Sequence, residues 1–139
     1  MVDGSSVQHA TAYLCANGAS EAIDFYKKAF GAEEKYRMTG DDGRIGHAEI
    51  AIGATTLYLS DEWPEMRVLS PNTLNGHSVS FVLEIADLDA AWGRAIGAGA
   101  KVERAIAEAP YGRGGWLIDP SGHRWNLMTS NPDFKPEDM

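Results

Sequence analysis

The sequence has little cysteine, few basic residues and no long apolar run. Cys15 is the single cysteine among 139 residues, so no intrachain disulfide can form, which is typical of a reducing cytoplasm. No apolar run approaches the roughly 20 residues that a transmembrane helix needs. The first ten residues lack the basic and apolar regions of a secretory signal. These features predict a cytoplasmic protein with no membrane partner.

The low basic content also limits the possible partners. The chain has 12 Lys and Arg residues against 20 Asp and Glu residues, which gives a net charge of −8 at pH 7. Binding of a nucleic-acid backbone needs clustered Lys and Arg, so this charge argues against a nucleic-acid partner. An acidic protein attracts cations, but many proteins are acidic for solubility alone. The charge by itself therefore does not define the ligand.

The two halves of the chain carry the same pattern about 68 residues apart, with Gly31-Ala32 matching Gly99-Ala100. Each half reads as strand, helix and three strands, and is too short to fold as an independent domain. We therefore expect a single domain over 1–139 with one shared core and a pocket between the halves. Its predicted parts are a first module at 9–62, a linker at 63–76, a second module at 77–130 and a tail at 131–139.

Hydrophobic periodicity and turn signals predict the elements of each module. In the first, Ser20 is the expected N-cap of a helix that ends at Gly31, and strands are predicted at 10–16, 33–38, 45–52 and 55–60. In the second, a helix is predicted at 88–98, with strands at 79–85, 101–106, 116–118 and 124–129. The glycine-rich stretch APYGRGG before 116 is where a lid would form, although its glycines can also indicate a hairpin.

Alternation along the strands separates a helix-facing side from an outer side. Ala48 and Ile50 point towards the helix, whereas His47 and Glu49 point away from it. The last strand gives the same division, with Trp125 on the helix side. The outer side is mixed polar and aromatic, which is typical of a pocket lining.

Three segments, in this order, resemble the vicinal oxygen chelate superfamily of glyoxalase I, extradiol dioxygenases and bleomycin-resistance proteins: EAIDFYKKAFGAE, IGHAEIAIGATTLYLSDE and LIDPSGHRWNL. The helix end FYKKAFGA and the strand HAEI are similar to the bacterial subgroup named after a phosphonate-operon protein. The resemblance spans about residues 9–130. It implies an α+β fold in which paired βαβββ modules form a curved mixed sheet with a concave cleft. It also implies a homodimer with the pocket at the subunit interface.

Metal-using members of this superfamily hold a divalent cation with four side chains, usually His and Glu. The resemblance places the corresponding positions at Thr11, Tyr58, Ser80 and Asn126. Hydroxyl and amide groups are poor ligands for Zn²⁺ or Fe²⁺, and four neutral groups do not offset the charge of a dication. We therefore predict no metal and no other cofactor, and these four residues become candidate pocket residues instead.

His47 and Glu49 form the best remaining pair, because both point to the outer side and could bind a metal or act as acid and base. The alternative is a structural role, with His47 hydrogen-bonded and Glu49 paired with an arginine such as Arg124. The other predicted pocket residues are aromatic, or lie in the glycine-rich stretch where a lid would form: Trp63, Tyr111, Arg113 and Trp116. For Trp116, core packing is the favoured alternative.

Two functions follow from these residues. The first is metal-free sequestration of a planar or cationic small molecule, such as a bleomycin-type antibiotic, with a role in antibiotic resistance. The second is a metal-dependent lyase, isomerase or dioxygenase that acts on a vicinal-dioxygen substrate through a shifted ligand set including His47 and Glu49. The neutral side chains at all four metal positions favour the binding protein over the enzyme, and no catalytic residue is assigned.

Overall fold

The structure is a computed structural model that describes residues 6–138, with side chains described to residue 137. It contains eight strands and three α-helices, with short 3₁₀ turns at Pro64–Met66 and Pro136–Asp138. In chain order these elements are β1 (Tyr13–Ala16), α1 (Ala19–Phe30), β2 (Glu33–Thr39), β3 (Ile45–Ile52), β4 (Thr55–Asp61), α2 (Pro71–Leu74), β5 (Ser80–Glu84), α3 (Leu88–Ala98), β6 (Lys101–Ala109), β7 (Gly112–Ile118) and β8 (Arg124–Ser130). None of the described helices is both long enough and apolar enough to span a lipid bilayer.

The strands form two mixed four-stranded sheets with the same topology. The first sheet has the order β1-β4-β3-β2 and the second has the order β5-β8-β7-β6. In each sheet the first and last strands of the module pair in parallel, and the other neighbours pair antiparallel. The predicted α+β class with paired βαβββ modules is therefore confirmed.

The two sheets and the two long helices share one hydrophobic core. The helical spacing of apolar residues gives α1 one buried stripe, which includes Ile23, Phe25 and Tyr26. Residues from both halves, such as Leu59 and Leu127, belong to the same buried cluster. Both halves thus contribute to one buried cluster, and in both sheets the inner face is the one that packs on the helices.

Contacts of α1 with the second module hold the two halves together. Tyr26 Oη donates a hydrogen bond of 2.5 Å to Oδ2 of Asp119, in the turn between β7 and β8. Trp125 Nε1 donates to the same oxygen at 2.8 Å, and the Trp125 ring lies 4.9 Å from the ring of Phe30. Since these contacts use the inner faces, the outer face of each sheet points away from the shared core.

The start of α1 differs from the prediction. The helix begins at Ala19, with Gly18 at a φ of 90° before it, and Ser20 is not the N-cap. The backbone N–H of Ala19 donates to Asp61 Oδ1 at 2.7 Å, and that of Ile45 donates to Oδ2 of the same carboxylate at 2.7 Å. A carboxylate at the end of β4 thus replaces the local cap, because it satisfies a helix N–H and a strand N–H together.

The glycine-rich stretch forms the hairpin of β6 and β7, the alternative to a lid, and its strand begins earlier than the predicted start at 116. β7 begins at Gly112, so most of this stretch is strand. A Cβ at Gly115 would lie 2.6 Å from the ring of Trp92 on α3, and one at Gly114 would lie 2.9 Å from a backbone oxygen of β8. These glycines allow the close approach of neighbouring elements rather than a turn. The first strand is also shorter than predicted, since β1 begins at Tyr13.

Candidate functional site

The outer face of the first sheet carries four ring side chains, Tyr13, Tyr36, His47 and Tyr58, which we call the aromatic patch. Strand register pairs Tyr58 with Tyr13 of β1 on one side and with Glu49 of β3 on the other. Glu49 in turn pairs with Tyr36 of β2. The predicted division of β3 and β4 into inner and outer residues is confirmed, because Ala48 and Leu59 are buried in the core.

The rings of the aromatic patch are in contact with one another. The ring centroid of His47 lies 4.9 Å from that of Tyr58 and 5.3 Å from that of Tyr13. The two tyrosines lie 5.7 Å apart in an edge-to-face arrangement, and Tyr36 completes the group at 6.1 Å from His47. Tyr13 and Tyr36 remain 53% and 50% exposed, so the patch is open to a ligand.

A chain of hydrogen bonds runs through the aromatic patch. Tyr13 Oη lies 2.7 Å from Nδ1 of His47, and Nε2 of His47 lies 2.9 Å from Oε2 of Glu49. The carboxylate can only accept, which places the imidazole proton on Nε2 and leaves Nδ1 to accept from the phenol. Burial, followed by the negative charge of Glu49, raises the pKa of Tyr13, so the phenol stays protonated. The predicted structural pairing of Glu49 with Arg124 is not found, because His47 occupies that role.

Trp63, in the linker, is packed by its own chain. The guanidinium of Arg44 lies 3.6 Å above the Trp63 ring. Arg44 is held there by Asp42 at 2.7 Å and Glu65 at 3.1 Å. The other side of Trp63 lines an apolar pocket of about 480 Å³ that Tyr13 also borders. Trp63 therefore forms one wall of a pocket beside the aromatic patch.

The predicted site residues of the second sheet form a separate group. Arg124 lies 3.5 Å above the ring of Trp116, donates to Glu103 at 2.7 Å and donates to Ser80 Oγ at 3.2 Å. Asn126 Nδ2 donates to a carbonyl of β7 at 3.0 Å. The exposed face of Trp116 is thus covered by Arg124 and is not free to stack on a ligand in this arrangement.

The two groups do not meet within one chain. Among the described residues, no hydrogen bond or ring contact joins the aromatic patch to Ser80, Trp116, Arg124 or Asn126. Thr11 precedes β1 and is exposed. Of the four positions that correspond to metal ligands in the superfamily, Tyr58 therefore lies in the first sheet and Ser80 and Asn126 lie in the second, while Thr11 precedes the first sheet.

Tyr111 and Arg113 lie at the end of the second sheet. Arg113 belongs to β7, and its guanidinium makes a two-pronged ion pair with Asp89 at 2.9 and 3.0 Å. Tyr111 lies in the β6–β7 turn, where its ring is 6.3 Å from that of Phe134. Arg113, which was expected in a lid, is therefore a strand residue, and its ion pair with Asp89 connects it to the start of α3.

A cleft lies at the junction of the two modules, where a pocket between the halves was expected, but sequence reasoning missed Tyr13 as one of its lining residues. A mostly apolar cleft of about 580 Å³ lies between β1 and β5, and Tyr13, Phe81 and the segment 74–79 line it. Tyr13 borders both this cleft and the pocket of Trp63. The signal that could have identified Tyr13 is its position two residues after Thr11. Alternation along the predicted strand 10–16 puts these two residues on the same, outer side.

The residues present do not fit the divalent metal that the superfamily implies. The hydroxyl of Ser80 accepts a hydrogen bond from the cationic Arg124, and the amide of Asn126 donates to the backbone. A guanidinium beside these positions disfavours a second cation. Within residues 6–137, no group of three or more His, Cys, Asp or Glu side chains is placed to hold a metal ion.

Comparison with known proteins assigns the family. The sequence model of the Glyoxalase/Bleomycin resistance protein/Dioxygenase superfamily matches residues 6–127. The chain belongs to this superfamily. It is 40% identical over 119 residues to the uncharacterized protein Mb0911c of Mycobacterium bovis, covering 83% of this chain and 78% of that protein.

Two solved structures of the superfamily show the same fold. The PhnB protein from Bacillus cereus has a TM-score of 0.66 at 21% identity, covering 88% of this chain and 100% of that chain. The fosfomycin resistance protein FosX from Listeria monocytogenes has a TM-score of 0.67 at 13% identity, covering 89% and 92%. The family model confirms the predicted superfamily, and these two structures, each less than 25% identical to the chain, show the shared fold alone.

Proposed function

We propose that this superfamily member is a cytoplasmic, metal-independent binding protein for a planar, cationic small molecule that lies over the aromatic patch. The observation that carries the proposal is the combination of four mutually contacting rings with the carboxylate of Glu49 on an open sheet face. Aromatic faces attract cations, with roughly 0.5–2 kcal/mol for each contact. They also stack on flat ring systems.

The carboxylate of Glu49 supports a positively charged ligand in particular. Only its Oε2 contacts His47, which leaves Oε1 to accept a hydrogen bond from a ligand cation. The side chain is partly buried between Tyr58 and Tyr36, so its charge is less screened than that of a surface carboxylate. An ammonium or guanidinium group would meet both the ring faces and this charge.

We further propose that two copies of the chain build the complete pocket. The outer faces expose large apolar side chains, Met38 on the first sheet and Val82 on the second. Such side chains on a sheet face are covered in most stable proteins. Pairing the first sheet of one copy with the second sheet of another would enclose the aromatic patch and bring the split positions together.

The neighbouring proteins favour a role in antibiotic resistance. FosX is a fosfomycin resistance protein by its title, and the superfamily includes bleomycin resistance proteins. A bleomycin-type antibiotic is cationic and carries planar rings, which matches the chemistry of the aromatic patch. We propose this class of drug as the first ligand to test.

Calorimetry with EDTA-treated protein tests the binding proposal. The ligands are metal-free bleomycin and a planar cationic acridine dye, and we expect saturable binding of at least one. Glu49→Gln should weaken binding about tenfold, which corresponds to about 1.4 kcal/mol. Glu33→Gln is the matched control, because Glu33 is exposed on β2 and pairs with Lys35 outside the patch. Absence of binding to both ligands would refute the proposal.

A metal-dependent lyase, isomerase or dioxygenase is the second candidate, and the adjacency of His47 and Glu49 is what favours it. A FosX variant was crystallised with Mn(II) and a dihydroxypropylphosphonic acid. Elemental analysis of untagged protein purified without chelator separates the candidates. A metal content below about a tenth of an equivalent per chain would show that no metal site is near saturation, and would count against the enzyme. Metal-dependent turnover without metal-independent binding would replace the first proposal by the second.

A further inference from the structure

Tyr13, His47 and Glu49 have the geometry of a nucleophile, its base and an orienting carboxylate. The phenol oxygen lies 2.7 Å from Nδ1, and the opposite ring nitrogen lies 2.9 Å from the carboxylate. Both distances fall within the range of about 2.6–3.2 Å that activates a hydroxyl nucleophile. The carboxylate fixes the imidazole with Nδ1 free to take a proton, whereas in serine hydrolases the two ring nitrogens have the opposite roles.

The phenol of Tyr13 needs such a base in order to react. Burial and the charge of Glu49 raise its pKa, so a free phenolate is scarce at neutral pH. A base that takes the proton during attack removes this barrier. A carbonyl contact competes weakly for that proton, since Tyr13 Oη lies 3.2 Å from the oxygen of Gly46.

There is room around Tyr13 for both parts of an ester. Its side chain is 53% exposed and borders the 580 Å³ cleft between β1 and β5. It also borders the 480 Å³ pocket of Trp63 and Met66 on the other side. Both cavities are largely lined by apolar side chains, which suits an uncharged acyl group and an aromatic leaving group.

We propose that Tyr13, His47 and Glu49 catalyse the hydrolysis of small esters through an acyl-tyrosine intermediate. Tyr13 Oη bonds to the acyl carbon as the ester C–O bond breaks, and the phenol proton passes to His47 Nδ1. That proton leaves with the departing alcohol. Water then attacks the acyl-tyrosine and gives its proton to His47. His47 passes this proton to the departing Tyr13 Oη as the acid is released, which restores the phenol. Glu49 acts as a positioning residue. This activity goes beyond ligand sequestration and does not depend on a cationic ligand.

Hydrolysis of p-nitrophenyl acetate by the full chain tests the proposal. We expect p-nitrophenolate release above background and an acetyl group on Tyr13 by peptide mass spectrometry. Tyr13→Phe should lower the rate at least tenfold, and His47→Gln should lower it about 100-fold or more, as for loss of a general base. Tyr111→Phe is the matched control and should stay within twofold, because Tyr111 is an exposed tyrosine in the β6–β7 turn, outside the aromatic patch.

Glu49→Gln distinguishes positioning from a merely structural role. The amide still accepts a hydrogen bond from Nε2 but no longer offsets the imidazolium charge. We therefore expect a lower kcat with an unchanged KM for the ester. Acetylation spread over lysines and other tyrosines, or a rate unchanged in His47→Gln, would overturn the proposal. Calorimetry of the acridine dye with the Tyr13→Phe variant distinguishes the two proposals. This variant loses the hydroxyl that the esterase proposal needs but keeps the aromatic ring, so dye binding should persist even where ester hydrolysis is lost.

Discussion

The side chain of Asp119 joins the two modules through buried hydrogen bonds. Its carboxylate accepts from Tyr26 Oη and Trp125 Nε1, and from the backbone N–H groups of Ser121 and His123. Tyr26→Phe removes one of these donors in a fully buried position. We expect the free energy of unfolding to fall by about 1–3 kcal/mol, as for a buried acceptor that loses a partner. Urea unfolding at pH 7 measures this loss, and an unchanged stability would contradict it.

The same tyrosine should limit stability at alkaline pH. Burial, then the charge and hydrogen bond of Asp119, raises the pKa of Tyr26 well above its ordinary value. Below about pH 10 both the folded and unfolded states keep the proton, and above it the unfolded state loses the proton first. The free energy of unfolding of wild type, relative to that of Tyr26→Phe, should therefore fall between pH 9 and pH 11. Above pH 10 the fall should approach about 1.4 kcal/mol for each pH unit. Tyr111→Phe, at an exposed tyrosine, should show no such trend.

Cys15 should be an unreactive thiol in the folded protein. Burial, with smaller contributions from Glu62 and Asp61, raises the pKa of Cys15 to about 11. Because the thiolate is the reactive form, alkylation by iodoacetamide at pH 7.5 should be about 100-fold slower than for an unperturbed thiol. The rate should climb with pH up to about 11. Protein unfolded in urea is the control, and equal rates in both states would show that the thiol is not protected.

Gly115 decides how closely α3 can approach β7. A Cβ there would meet the Trp92 ring at 2.6 Å and a backbone oxygen of Arg104 at 2.8 Å, so the ring and the neighbouring strand would both have to shift. Gly115→Ala should therefore destabilise the protein by about 1–3 kcal/mol. Gly93→Ala is the matched control in α3, where nothing lies within 4 Å. It should stabilise by about 0.5–1 kcal/mol, since alanine favours a helix interior. Thermal unfolding of both variants compares the two effects.

Elements determined by local spacing were predictable, and those determined by distant partners were not. The end of α1 at Gly31 and the two faces of β3 follow from patterns within a few residues of each position. The start of α1 instead depends on Asp61, which is 42 residues away. The first half of β7 was not predicted as strand, because Gly115 is required there by Trp92, a contact that no local pattern reveals.

The candidate site was predictable in composition but not in its connections. Strand alternation placed His47, Glu49 and Tyr58 on one face, as the structure has them. It could not show that Tyr13 bonds to His47 across the sheet, because β1 and β3 are joined only through β4. The arginines that cover Trp63 and Trp116 were likewise unpredictable, since each stacking pair is brought together by the fold.

The division of the site between two outer faces makes the oligomeric state a test of the whole arrangement. If two copies pair their outer faces, the protein should sediment at twice the 15.0 kDa mass of one chain. Val82→Lys puts a charge on the outer face of β5, where Val82 is 57% exposed beside Asn126. An unpaired charge buried in an interface costs about 3–5 kcal/mol, so dimer affinity should fall about 100-fold or more.

Ile96→Lys is the control for this change, because Ile96 is an exposed apolar residue of α3 and lies on neither outer face. It should leave both sedimentation and ligand binding unchanged. Val82→Lys should instead weaken the acridine dye together with the dimer, although Val82 lies in the opposite sheet from the aromatic patch. A monomeric wild type that binds the dye as tightly as Val82→Lys would show that one outer face is sufficient. Coupled loss of dimer and ligand would show that two copies build one pocket.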